Sequence, residues 1–243
     1  MNRSAYHNYP FLSIEEFAEV CHHLDNRYCQ ATLGPVRKQW KLRLHKALDM
    51  VFGSDSGYTT FVQITRPLEE TGDLDELESF LDSFSIGAKP RGDQILSMQV
   101  DEDPEELVKQ PSQPRIGHVK YEIHLHPTYQ APCLWFSLHD LPADEVAFDI
   151  DTVFRRLVPD QFKSTLRGAG PIGGISADHH PITGVPAFFV HPCLLGDAMA
   201  GFDCAKQDYL MVWLGLVGGC IGLWVPKEMA LLSQAPQYPG AAT

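Results

Sequence analysis

Between residues 118 and 140 the chain reads HVKYEIHLHPTYQAPCLWFSLHD, and no other stretch restricts the fold as much. Val119, Tyr121, Ile123 and Leu125 occupy every second position, so they share a face only if the backbone is extended. After Pro127 and a short turn the alternation resumes, with Leu134, Phe136 and Leu138 together. Two strands with one strongly apolar face require a sheet, and that face requires a cover.

Upstream, Ser13 and Glu16 have the spacing of a capping box, and Leu12 and Phe17 stand at the staple positions. Ile14, Phe17, Ala18, Cys21 and Leu24 then trace one face of an amphipathic helix. KQWKLRLHKAL sets Trp40, Leu42 and Leu44 against Lys41, Arg43 and His45, the period of a strand. YTTFVQITRPL follows across a Gly/Ser/Asp-rich turn, which predicts a hairpin. Residues 69–113 are rich in acids, Ser, Pro and Gly, with one helical patch at Leu74, Leu77, Leu81 and Phe84. They read as a partly mobile insertion. Ile150, Val153, Phe154 and Leu157 predict a helix stopped by Pro159, and RGAGPIGGISADHHPITGVP reads as a loop leading to VPAFFVHPCLLGDAM. Helix, antiparallel strands, a loop carrying a thiol and a last helix make an α+β fold, an antiparallel sheet with helices packed on it.

Residues 209–226, YLMVWLGLVGGCIGLWVP, contain no charge and are long enough to raise the question of a membrane span. Four glycines and a terminal proline interrupt the run, and no Lys/Arg cluster flanks it. It therefore reads as a buried helix from Gln207 to Val217, stopped by Gly218-Gly219 and followed by a buried strand. At 243 residues and 44% hydrophobic content, a single domain spanning 1–243 is the simplest organisation. The net charge of −12 opposes binding to nucleic acid or acidic membranes. The six cysteines form no CxxC pair, and MNRSAYHNYPFLSIEEF lacks the apolar core of a signal peptide. Both observations point to a cytoplasmic protein with reduced thiols.

Cys193 stands where an apolar strand, PAFFV, runs into His191 and Pro192. Proline removes a backbone donor and fixes its own φ, so strand pairing ends there and the next residue is held stiffly. LLGDAM looks like the start of a helix, and helix N-termini favour thiolates. A cysteine is also a common core residue, and His191 is as well suited to bonding nearby backbone as to assisting a thiolate. His118, His124 and His126 on one strand, with His179 and His180, suggest a metal. Their alternation reads better as a solvated face, since no pair has compact ligand spacing. The chain contains no glycine-rich phosphate loop, GxSxG elbow or HExxH. These residues leave open a thiol-based transferase, a cysteine hydrolase whose orienting third residue the sequence does not show, and a noncatalytic adaptor with Cys193 buried.

PAFFVHPC, VKYEIHLHPTYQAPCLWF and YLMVWLGLVGGCIGLWVP, in that set and over residues 117–226, resemble the autophagy-related protein 10 family of ubiquitin-like-conjugating enzymes. HHPITGVPAFFVHPC also keeps a His-Pro pair, His180-Pro181, ahead of the cysteine. The resemblance implies a ubiquitin-conjugating-enzyme-like core and a relay without cofactor or metal. In it, an activating enzyme, autophagy-related protein 7, passes autophagy-related protein 12 to Cys193 as a thioester. A lysine of autophagy-related protein 5 then attacks that thioester. It also implies that Tyr129 of TYQAP and His191 neighbour the active centre. Conventional ubiquitin-conjugating enzymes carry His-Pro-Asn, whose asparagine supports the oxyanion, and this chain has none. A sister enzyme, autophagy-related protein 3, shares His-Pro-Cys and transfers to a lipid. The chain has no basic amphipathic N-terminal helix suited to that task.

Overall fold

The computed structural model describes residues 6–48, 58–68, 117–169 and 174–231. Helix α1, Ile14–Gln30, starts as its capping box requires. Glu16 N–H donates to Ser13 Oγ at 3.2 Å, and the Glu16 carboxylate accepts from Ser13 N–H at 2.9 Å and from His7 N–H at 2.7 Å. Phe17, Val20, Cys21, Leu24 and Tyr28 form its buried face, while Ile14, assigned to that face by spacing, is exposed in the first turn. A single helical turn, α2 (Val36–Gln39), leads to β1 (Lys41–Leu48) and β2 (Tyr58–Pro67), which pair antiparallel as the hairpin reading requires. The expected insertion at 69–113 and its helical patch lie outside the described residues.

Strands β3 (His118–His126) and β4 (Ala131–His139) are the two strands of the opening pattern, paired with Tyr121 opposite Phe136 and Ile123 opposite Leu134. Helices α3 (Ile150–Arg156) and α4 (Asp160–Ala169) follow. α3 is capped by Asp149, whose carboxylate accepts from Thr152 N–H at 2.8 Å. The spacing before Pro159 does not announce α4: the proline ends one helix, as the pattern requires, and stands directly before the next. The Gly/Pro-rich segment is also not all loop. It contains β5 (Ile175–His179), which turns back onto β6 (Pro186–Val190) through Gly184 at φ +66°.

The six described strands form one antiparallel sheet in the order β1-β2-β3-β4-β6-β5. Leu42, Val62, Ile64, Val119, Tyr121, Ile123, Leu134, Phe136, Leu138, Phe188 and Val190 fill one face and are buried with the α1 residues named above. The sheet is thus α+β with helices on one face, consistent with the ubiquitin-conjugating-enzyme-like core implied by resemblance. Helix α5 (Leu195–Ala200) precedes α6 (Tyr209–Val217), whose Tyr209, Leu210, Trp213, Leu214 and Val217 enter the same core.

The buried strand expected after Gly218-Gly219 is absent: Gly218–Ile221 form a 3₁₀ turn, and the chain then runs irregularly to α7 (Lys227–Leu231). Glycine makes this possible. Leu223 N–H donates to the Gly218 carbonyl at 2.8 Å, a Cβ on Gly218 would lie 2.3 Å from the Leu223 carbonyl oxygen, and Gly222 sits at φ +70°. Tyr121 reaches through the core to donate its hydroxyl to the Ile221 carbonyl at 2.7 Å. Among the described residues no helix is long and apolar enough to cross a membrane.

Candidate active site

β6 delivers Phe188 and Val190 to the core and ends at His191, which is still extended at φ −64° and ψ 127°. Pro192 is buried and opens a 3₁₀ turn, Pro192–Leu194, so Cys193 leaves the sheet on a fixed backbone and is half-buried as a free thiol. The α-helix beyond it begins only at Leu195 and is six residues long. Cys193 therefore lies in a 3₁₀ turn that leads into the helix expected over LLGDAM, and that helix is short.

The Cys193 N–H donates to His191 Nδ1 at 3.2 Å. His191 thus bonds nearby backbone: its Nδ1 lone pair caps the turn, and a neutral ring with Nδ1 so employed carries its proton on Nε2 as a donor. Tyr129, in the β3–β4 turn and 37% exposed, lies edge-on to His191 with ring centroids 5.5 Å apart and planes at 76°. The structure thus brings Cys193, His191 and Tyr129 together.

It also adds His126, which the alternation assigned to a solvated face. His126 ends β3 and accepts at Nδ1 from the N–H groups of both Thr128 and Tyr129, each at 3.3 Å, and its ring meets Tyr129 at 4.8 Å. Gln130 completes the turn at φ +48°, donating to the His126 carbonyl and accepting from Leu12 N–H, both at 2.8 Å. The signal in the sequence was His-Pro-Thr-Tyr, a histidine within turn distance of a tyrosine.

On the same outer face of the sheet, His124 and His180 are not solvated but buried, at 3% and 8% exposure, around Glu122. Glu122 Oε2 lies 2.9 Å from His124 Nε2 and 2.6 Å from His180 Nε2, and its Oε1 lies 3.0 Å from Lys120 Nζ. Burial raises the Glu122 pKa, but hydrogen bonds from His124, His180 and Lys120 outweigh it and hold the carboxyl well below its ordinary value. Glu122, His124 and His180 have the types and spacing of a metal site. Their hydrogen bonds already employ the ligand atoms: His180 Nδ1 accepts from the N–H groups of Ile182 and Thr183 at 3.3 Å each, which puts its proton on the Nε2 facing Glu122. The cluster fits a proton-bridged brace across β3 and the β5–β6 hairpin better than a cation site. Trp135, Phe189, Cys133 and Ala187 pack beside it as a second small core.

A half-exposed thiol on a strand-exit turn, with a capped histidine and a tyrosine beside it, can take and release an acyl group. The family model described as "Autophagocytosis associated protein, active-site domain" matches residues 16–228. The chain is 58% identical over 230 residues to a protein of Gibberella zeae named "Ubiquitin-like-conjugating enzyme ATG10", covering 92% of this chain and 98% of that one. It is 31% identical over 120 residues to a Homo sapiens protein of the same name, covering 46% of this chain and 53% of that one. With its His-Pro-Cys turn and antiparallel sheet, the chain belongs to the autophagy family of ubiquitin-like-conjugating enzymes, that of the autophagocytosis associated protein active-site domain.

Proposed function

We propose that the chain accepts autophagy-related protein 12 from autophagy-related protein 7 as a thioester on Cys193 and transfers it to a lysine of autophagy-related protein 5. The observation that carries this reading is the Cys193–His191–Tyr129 arrangement on a proline-fixed turn. In charging, the Cys193 thiolate attacks the carbonyl of the activating enzyme's thioester, and that enzyme's thiolate leaves. In transfer, the acceptor lysine attacks the new thioester, the carbonyl oxygen becomes an oxyanion, and its collapse breaks the C–S bond and forms an amide. The amine proton passes to solvent and Cys193 is regenerated as a thiolate.

A thioester needs little further activation, so the protein's work is to place the lysine and stabilise the oxyanion. His191 Nε2–H and the Tyr129 hydroxyl are the donors available to replace the missing asparagine. The alternative, a cysteine hydrolase pairing Cys193 with a distant histidine, is less well supported, because the histidine beside Cys193 gives its Nδ1 to the Cys193 backbone N–H and no third residue orienting a base is seen among the described contacts of Cys193. Transfer to a lipid has no support in α1, whose first half carries Glu15, Glu16 and Glu19. We further propose a cytoplasmic location and one ubiquitin-conjugating-enzyme-like domain over 1–243, with residues 69–113 as an insertion.

A reconstituted charging reaction, resolved with and without reductant, tests the assignment. Wild type should give a reductant-sensitive adduct, Cys193→Ser at most a slow reductant-resistant ester, and Cys193→Ala neither. A reductant-sensitive adduct on Cys193→Ala would overturn it.

A further inference from the structure

The β3–β4 turn contains a device that the reaction above does not name. His126 closes that turn with a side chain: one Nδ1 lone pair faces the N–H groups of Thr128 and Tyr129, both at 3.3 Å. Its ring then stands against Tyr129 at 4.8 Å with planes at 62°, and Tyr129 in turn stands against His191 at 5.5 Å. The row His126–Tyr129–His191 therefore joins two strand ends that are far apart in sequence, and its last member holds the backbone of Cys193. Tyr129 has no strand register of its own to fix it, and the next residue, Gln130, is in the left-handed region. The placement of its ring depends on the turn, and the turn's N–H groups depend on His126.

We propose that His126 is a positioning residue for the transfer step, holding Tyr129 edge-on to His191 beside Cys193. The proposal rests on the reading of Cys193 as the acyl carrier. The role requires a neutral ring, because an imidazolium has no Nδ1 lone pair to offer. Burial, and secondarily the neighbouring His191, keep the His126 pKa below its ordinary value, which preserves the acceptor at neutral pH. With Nδ1 occupied, the remaining proton sits on Nε2, so His126 acts through Tyr129 and is not a base for the incoming lysine.

The test is single-turnover discharge of preformed thioester to the acceptor protein, with charging measured separately. His126→Leu keeps bulk and removes the acceptor. It should slow discharge by roughly tenfold, about the weight of one hydrogen bond, with the acceptor concentration at half-maximal rate unchanged. His126→Ala gives the same comparison should leucine not pack. His126→Asn should recover most of the rate, because Oδ1 can accept the same N–H groups in an Asx turn. In the Tyr129→Phe background, His126→Leu should have little additional effect if it acts through the placement of that hydroxyl.

Discharge at the wild-type rate in His126→Leu, an equal loss in H126L with and without Y129F, or an Asn variant as slow as the Leu variant would each overturn the proposal. Formation of a reductant-sensitive adduct on Cys193→Ala would instead overturn the reading of the site, and this proposal with it.

Discussion

His191 accepts the backbone N–H of Cys193 at 3.2 Å through Nδ1, so the residue two before the thiol shapes the turn that presents it and points its remaining N–H elsewhere. One side chain would thereby serve two ends under the proposed function: Nδ1 fixes the backbone, and Nε2–H is the group proposed to donate where negative charge develops during transfer.

Substitutions at 191 should separate these two ends. Asparagine can accept with Oδ1 and donate with Nδ2, so His191→Asn should keep most of the transfer rate. His191→Ala loses both contacts and should reduce transfer by about 10²-fold, the range found for removing one oxyanion donor. Rates of discharge from preformed thioester decide it; equal rates for the two variants would exclude His191 as a donor.

Tyr129 is 37% exposed and touches His126 and His191 by ring edges. Tyr129→Phe preserves those contacts and removes only the hydroxyl. Transfer to the lysine should slow while thioester formation stays near normal, which a time course of both species would resolve. Equal slowing of both steps would assign Tyr129 to docking of the partner, and unchanged transfer would remove it from the site.

Much of this architecture was written in local patterns. The capping box of Ser13 and Glu16, the alternation of β3 and β4 and the antiparallel β1–β2 pair each depend on neighbours within a few residues, and each is found where the pattern put it. What escaped depends on distant partners. His124 alternates like a solvated residue, yet it is covered by His180, Trp135 and their neighbours, which arrive with β4 and the β5–β6 hairpin. β5 was concealed by the glycines and prolines around it, because its partner, β6, lies beyond a turn that only the folded chain closes. His126 was overlooked for a different reason: its partners are backbone N–H groups, so only the local His-Pro-Thr-Tyr order hints at it, and that order does not show which side chain closes the turn.

The Glu122 brace predicts how stability changes with pH. In the folded chain Glu122 is held well below its ordinary 4.5. His124 is held below 6.5, chiefly by burial and against the attraction of Glu122. In both cases the unfolded chain binds the proton first as pH falls, so stability is lost on acidification: the His124 contribution from near 6.5 downward, the Glu122 contribution from near 4.5 downward. The unfolding temperature should fall between pH 7 and pH 5, and His124→Leu should flatten that part of the curve. Glu122→Gln should cost about 3 kcal/mol at pH 7, since it removes the one anion that His180 and Lys120 share. Denaturant melts across this pH range check both, and an unchanged slope in His124→Leu would remove His124 from the linkage.

Two glycines three residues apart in the C-terminal apolar run should respond to alanine with opposite signs. Gly215 lies on the exposed side of α6, and a Cβ there meets nothing within 4 Å. Gly215→Ala relieves the entropic penalty of glycine inside a helix and should stabilise the chain by about 0.5–1 kcal/mol. At Gly218 the same methyl would stand 2.3 Å from the Leu223 carbonyl oxygen, backbone that is itself held by the Leu223 N–H to Gly218 carbonyl bond. Relief of that clash must open the turn that brings Leu223 into the core and sets the Ile221 carbonyl to accept from Tyr121. Gly218→Ala should therefore destabilise by roughly 3 kcal/mol or more, the scale of a disrupted core contact. Thermal unfolding of the two variants in parallel tests this, and a Gly218→Ala melting temperature equal to wild type would show that the 218–223 turn can relax without disturbing the core beneath it.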